Sequence, residues 1–184
     1  WQQASRSSQG RLKIFPVIAS SVNQQTELEK FTADLIDSLY DEPKAFSLRD
    51  GDGVSGPLTN IKSVIRYRLQ CYAIENLLLS DQCLSVLGKT WEEFKYTATS
   101  WLKENEKHKD SEKIQELIDS PTRLVNTKIK TIRQLICAIC GSGKPWEVVV
   151  GQSIGSLDIS NLPDGDFDLP KLIGRDATLA LLGE

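Results

Sequence analysis

The chain has 184 residues, of which 40% are hydrophobic and 26% are charged, and its formal net charge at pH 7 is −3. This composition is typical of a globular domain and excludes general disorder, and no apolar run approaches the roughly 18 residues of a membrane span. A domain of this size buries roughly 70% of its unfolded surface, so it needs no disulfide or metal for stability.

The beginning of the chain is predicted to be an N-terminal arm, residues 1–24, followed by a single mainly helical domain, residues 25–184. The first acid is Glu27, whereas the preceding residues carry three bases. Ile14 and Phe15 lie in a short apolar stretch next to a proline, which is typical of an extended or edge segment. The basic-then-apolar layout of a signal peptide is missing here, and we expect a cytoplasmic protein.

Apolar residues at helical spacing predict a mainly α fold, a helical bundle of about five or six helices. The predicted helical segments are residues 25–40, 58–79, 80–88, 90–107, a short helix around 114–118, 122–140 and 170–182. Segments 58–79 and 122–140 have the strongest patterns and are expected to form the centre. Thr90, with Glu93 three residues later, is a capping-box pattern at a helix start.

Two stretches interrupt the helical pattern. Residues 41–57 are rich in Gly, Asp and Ser and predict a loop. Residues 146–150 and 154–159 are rich in Val and Ile and are separated by Gly151, which predicts a small β element near 146–159.

The segment from Ser120 to Trp146 carries five bases and no acid. On the predicted helix, three of these bases lie opposite the apolar face and could contact nucleic-acid phosphates together with two bases of the arm. These candidate contacts, for nucleic acid or another partner, are Arg123, Lys130, Arg133, Arg11 and Lys13. The alternative is a solvated or internally paired face, which is favoured by the acidic pI near 5.3 and by the lack of interleaved aromatic residues for base stacking.

Arg68 and Glu75 lie seven residues apart, within the apolar arc of the predicted helix 58–79. An isolated buried charge costs several kcal/mol. We therefore expect a buried charge pair, in which each group is compensated by the other or by a further residue, unless this face is a binding surface.

Cys137 and Cys140 have the CxxC spacing of redox and zinc sites. A reactive thiolate requires a helix N-terminus or a similar positive environment, whereas this pair lies at a predicted helix C-terminus. A zinc site requires four ligands, and no second paired motif is present. We expect reduced, metal-free thiols with Cys140 packed against apolar residues, and zinc remains the alternative.

The remaining motifs do not indicate catalysis. The sequence from Gly141 to Lys144 lacks the first glycine and the final Ser/Thr of a phosphate-binding loop. The acidic turns near Asp50 and Asp164 lack ligands that a calcium loop requires. His108, the one histidine, lies in a charged stretch without a nucleophile motif. The chain is therefore not expected to be an enzyme or to hold a cofactor.

The leading functional hypothesis is a non-enzymatic protein-interaction or assembly module that self-associates through its terminal segments. In this hypothesis the basic arm docks on an acidic surface of a neighbouring copy, with Ile14 and Phe15 as anchors. The alternatives are that the arm folds back on its own domain or is disordered. The alternative function is a nucleic-acid-binding protein of nucleoprotein type, and a zinc-dependent module or an enzyme with a new kind of site comes third.

Overall fold

The computed structural model describes residues 21–182, which form eight α-helices, two short 3₁₀-helices and one two-stranded sheet. In chain order these are α1 (Val22–Leu39), β1 (Ala45–Arg49), β2 (Val64–Arg68), a first 3₁₀-helix (Ile74–Leu79), α2 (Asp81–Val86), α3 (Trp91–Glu104), α4 (Ser111–Asp119), α5 (Arg133–Ile139), α6 (Trp146–Gly155), a second 3₁₀-helix (Ile159–Asn161), α7 (Leu169–Ile173) and α8 (Arg175–Leu182). The prediction of a mainly α protein with a small β element is confirmed. Within residues 21–182, no helix is long and apolar enough to cross a membrane.

The hydrophobic core is built around the first 3₁₀-helix. Its residues Leu77, Leu78 and Leu79 are fully buried, and it contacts α2, α6 and α7. All buried members of the core cluster lie between Leu69 and Leu182. Burial of a Leu, Ile or Phe side chain contributes about 1.5–3 kcal/mol, so this cluster supplies most of the driving force for folding.

Several helix ends are where their sequence signals predict them. The Thr90 hydroxyl accepts a hydrogen bond from the Glu93 amide (3.3 Å), and the Glu93 carboxylate accepts one from the Thr90 amide (2.7 Å). This capping box starts α3. Gly88 follows α2 with a φ of 74°, a conformation that glycine adopts without strain. The helix predicted at 170–182 is divided into α7 and α8 at Gly174.

The prediction of one helix over residues 58–79 is wrong. Residues 64–68 form β2, which pairs in parallel with β1 from Ala45 opposite Val64 to Arg49 opposite Arg68. The loop predicted over 41–57 is correspondingly wrong where it contains β1. The β-branched and aromatic residues of β2 pack well on a pleated surface, and pairing with a distant segment decides between the two patterns.

The small β element predicted near 146–159 is also wrong in position, because these residues form α6 and the second 3₁₀-helix. Most of α6 is buried, including Val149, Val150 and Ile154. An apolar run that is buried on nearly every side loses the periodicity that distinguishes a strand from a helix.

The helix predicted over 122–140 forms only as α5, Arg133–Ile139, and a series of turns precedes it. Arg123 and Leu124 have φ values of 50° and 51°, which non-glycine residues adopt at a cost of about 1 kcal/mol or more each. The fully buried Asn76 stabilises these turns. Its amide nitrogen donates to the carbonyl oxygens of Leu124 (2.9 Å) and Thr127 (2.8 Å).

Residues 69–72, the linking segment, join the sheet to the core by backbone hydrogen bonds on both sides. The bonds run from Leu69 N to Arg49 O (2.9 Å), Asp52 N to Tyr72 O (2.8 Å), Gln70 N to Leu172 O (2.8 Å) and Tyr72 N to Val125 O (2.7 Å). Gly51 allows this close approach, because a Cβ atom at this position would lie 2.1 Å from the Cys71 carbonyl oxygen. The sheet is thus attached to the core at a contact that only glycine fits.

Candidate interaction surface

Helix α1 exposes a row of large apolar side chains to solvent. Phe31, Leu35 and Leu39 are 66%, 46% and 63% exposed, and Leu28 is half-buried. With 3.6 residues per turn these four side chains lie within an arc of about 80°. We call these four residues the α1 apolar face. Their spacing in the sequence predicts a helix, but it does not indicate that they face solvent.

A different side of α1 attaches the helix to the sheet through charged groups. The Glu29 carboxylate contacts Arg49 Nη2 at 2.7 Å and Arg66 Nε at 3.0 Å. Glu29 and Arg49 are only 6% and 8% exposed. Ser47 Oγ also donates to Glu29 Oε1 (2.5 Å). We call Glu29, Arg49 and Arg66 the Glu29 cluster.

The Glu29 cluster fixes the orientation of α1. Arg49 Nη2 donates a further bond to Thr26 Oγ1 (2.9 Å), and Gln25 Nε2 donates to Ser47 Oγ (3.1 Å). Charged hydrogen bonds have narrow geometric preferences. The α1 apolar face is therefore held facing away from the sheet.

Acidic residues flank the α1 apolar face. Glu27 pairs with Lys30 (2.8 Å) and Asp34 pairs with Lys62 (2.5 Å). Three more exposed acids lie at or just beyond the C-terminal end of the helix, Asp37, Asp41 and Glu42. None of them forms an ion pair with another residue in the range 21–182. We call these three residues the acidic end of α1.

Arg123, a candidate nucleic-acid contact, is buried in the structure. Its guanidinium group lies 4.7 Å from the Trp91 ring centre and 4.0 Å from that of Phe167, and it forms an ion pair with Asp81 (2.5 Å). The side chain borders a groove of about 620 Å³ at the start of α3. These partners hold the Arg123 side chain inside the fold, and they thereby stabilise the strained backbone turn at Arg123 itself.

Arg133 and Lys130, the other two candidate contacts in this region, differ in their surroundings. Arg133 Nη1 pairs with Glu75 Oε1 (2.6 Å), and its guanidinium lies 4.9 Å from the Trp146 ring centre. Lys130 is exposed. The other two candidates, Arg11 and Lys13, lie outside the described residues, as do the candidate anchors Ile14 and Phe15.

The structure does not pair Arg68 with Glu75, because β2 and the first 3₁₀-helix replace the single helix on which they were expected. Glu75 is largely buried and is compensated by Arg133. Arg68 is half-buried and donates to the Gly51 carbonyl oxygen (3.4 Å). No carboxylate of residues 21–182 lies within 4.0 Å of its guanidinium group.

All four cysteines carry free thiols. Cys140 packs against the core as predicted, and Cys137 is fully buried within it. Burial raises the pKa of Cys83, Cys137 and Cys140 to about 11 and that of Cys71 to about 12. The neutral thiol is therefore the stable form in the core, which disfavours nucleophilic chemistry. Residues 21–182 contain no group of three or more His, Cys, Asp and Glu side chains arranged to hold a metal ion.

Comparisons of the chain with protein-family models, with curated proteins and with solved structures give no match.

Proposed function

We propose that this protein is a self-associating protein-interaction module and that the α1 apolar face is its binding surface. The exposure of Phe31, Leu35 and Leu39 carries this proposal. Together they expose on the order of 300 Å² of apolar surface, comparable to the largest patch on a typical monomer, and such patches are often functional.

The way in which α1 is attached supports the same proposal. Burial of its apolar residues would stabilise the helix, yet charged groups attach it to the sheet and leave those residues in solvent. An amphipathic helix that presents apolar residues at i, i+3 or i+4, and i+7 is a recurrent element of protein–protein recognition. The Glu29 cluster holds this helix in place before a partner arrives, which lowers the ordering cost of binding.

The experiment is a measurement of molar mass by light scattering over a range of protein concentrations. The full-length chain should exceed its monomer mass of 20.5 kDa. The substitutions Phe31→Gln and Leu35→Gln together should return it to the monomer. Tyr96→Gln is the matched control, because Tyr96 on α3 is 78% exposed but lies outside the α1 apolar face.

A monomer mass for the unmodified chain up to about 100 μM would refute self-association, since a contact of about −5.5 kcal/mol is half-occupied at that concentration. An unchanged oligomer in the double variant would also show that the α1 apolar face is not the binding surface.

The nucleic-acid alternative has less support. Arg123 and Arg133 are engaged with Asp81 and Glu75, so only Lys130 among the three candidate bases of residues 122–140 is free for phosphate contacts. Retention on a phosphate-rich column that weakens steeply with salt would support nucleic-acid binding. We expect weak retention that Lys130→Gln does not change measurably.

A further inference from the structure

We infer that the α1 apolar face binds residues 11–18 of a second copy, with Ile14 and Phe15 over Leu35. This inference rests on the self-association proposed above and names the partner segment. Residues 11–18 contain two bases and five apolar side chains and no acid, so the segment offers apolar anchors and positive charge together.

Charge complementarity selects this segment over a second α1 helix. None of the three acids at the acidic end of α1, Asp37, Asp41 and Glu42, forms an ion pair with a base among the described residues. A second α1 supplies only Lys30, which already pairs with Glu27. Arg11 and Lys13 bring two positive charges next to the anchors, and complementary charges favour one partner and speed the encounter.

The reach of the chain favours a segment from a second copy over the chain's own segment. Ser21 is the N-cap of α1. To lie along its own helix the chain would have to reverse within residues 19–20, and residues 15–18 could then span at most about 13 Å at about 3.3 Å per residue. At 1.5 Å per residue, Phe31 lies about 15 Å and Leu35 about 21 Å along the helix from the N-cap. Docking within one chain therefore leaves Phe15 short of Leu35.

The charges also fix the direction of the bound segment. With Phe15 over Leu35 and an antiparallel orientation, Lys13 lies about 7 Å and Arg11 about 13 Å further toward the C-terminus of α1. α1 ends at Leu39, about 6 Å along the axis from Leu35, and Asp41 and Glu42 follow this end. The two bases then lie at the acidic end of α1, whereas a parallel orientation moves them away from it.

The test combines two full-length double variants. The arm variant carries Ile14→Gln and Phe15→Gln, and the face variant carries Phe31→Gln and Leu35→Gln. Neither should associate alone. When the two variants are mixed in equal amounts, the intact segment of the face variant meets the intact face of the arm variant. A species containing one copy of each should therefore form. Its Kd should be at least 10-fold below that of either variant alone.

The controls separate this inference from the proposed function. Tyr96→Gln should associate like the unmodified chain, and unchanged circular dichroism and Tm should show that each variant is folded. If the arm variant on its own associates normally while the face variant on its own is monomeric, the inference is overturned and the proposed function stands. No recovery in the mixture would also overturn it. Unchanged association in both variants would refute the proposed function itself.

A charge-reversal pair tests the direction of the segment. Asp37→Lys with Asp41→Lys should raise the Kd at least 10-fold, and Arg11→Glu with Lys13→Glu in the same chain should reverse most of this loss. A Kd that is insensitive to the first pair of substitutions would overturn the antiparallel arrangement.

Discussion

The core and the α1 region are stabilised by different kinds of contact. The core, between Leu69 and Leu182, depends on fully buried aliphatic and aromatic side chains. In the α1 region, Ala33 and Val64 are buried but do not belong to the core cluster, and the Glu29 cluster makes the main attachment. Apolar burial gives stability without fixing direction, whereas charged hydrogen bonds fix direction at a large desolvation cost. The difference shows how a helix can be oriented firmly while its apolar residues stay exposed.

The largest expected effect is in the core. Phe94 is fully buried, so Phe94→Ala removes its apolar contacts and leaves a cavity. We expect a loss of about 3–5 kcal/mol in the free energy of unfolding, measured by urea denaturation. Tyr96→Ala on the same helix should cost less than about 0.5 kcal/mol. Similar losses in the two variants would contradict the packing of α3.

A comparable loss confined to one region is expected from the Glu29 cluster. Glu29→Gln removes the negative charge and leaves Arg49 and Arg66 buried without a counter-charge, at a cost of about 3 kcal/mol. Hydrogen exchange should show lost protection in α1 and unchanged protection in α3 and α5. Glu27→Gln, at a 72% exposed side chain, is the matched control and should change little. Equal loss of protection in the core helices would show that the two regions unfold together.

The buried thiols should make the stability sensitive to high pH. The pKa of Cys83 is raised to about 11 in the fold by burial, above its value in the unfolded chain. Its contribution is therefore complete below about pH 9 and is lost as the pH rises to about 11. We expect Cys83 alone to lower the free energy of unfolding by on the order of 2 kcal/mol over this window.

The Cys83→Ala variant provides the check on the thiol prediction. The free energy of unfolding should depend less steeply on pH between 9 and 11 in the variant than in the unmodified chain. Identical slopes would mean that the thiol remains protonated in both states or ionises equally in both.

The smallest expected effect is on the stability of the α1 apolar face. Phe31→Gln should change the free energy of unfolding of the monomer by less than about 0.5 kcal/mol, because this side chain has little burial to lose. Thermal melts at low protein concentration should show it. A loss above about 2 kcal/mol would mean that Phe31 packs within the fold, and the contrast between the two regions would fail.

The sequence predicted those elements whose signals are local. The Thr90–Glu93 capping box and Gly88 mark helix ends through contacts within four residues. β2 could not be predicted in this way, because it depends on pairing with β1 some 19 residues earlier. Val64, Ile65 and Tyr67 fit both an apolar helical stripe and a strand.

The surroundings of the candidate site residues depend on contacts that are distant in sequence. The turns at Arg123 depend on Asn76, which lies 48 residues from Leu124. Glu75 meets Arg133 across 58 residues. Helical spacing located α1 correctly, but the buried Glu29 on its attached side could be recognised only once Arg49 and Arg66 were placed in the sheet.

The linking segment implies an order of folding. Residues 69–72 bond to Leu172 and Val125 on one side and to Arg49 and Asp52 on the other. The core must position this segment before β2 has a fixed place, and α1 requires both strands to complete the Glu29 cluster. We therefore expect pulse-labelling hydrogen exchange to show the core protected first, the strands next and α1 last. Early protection of α1 would contradict this sequence of events.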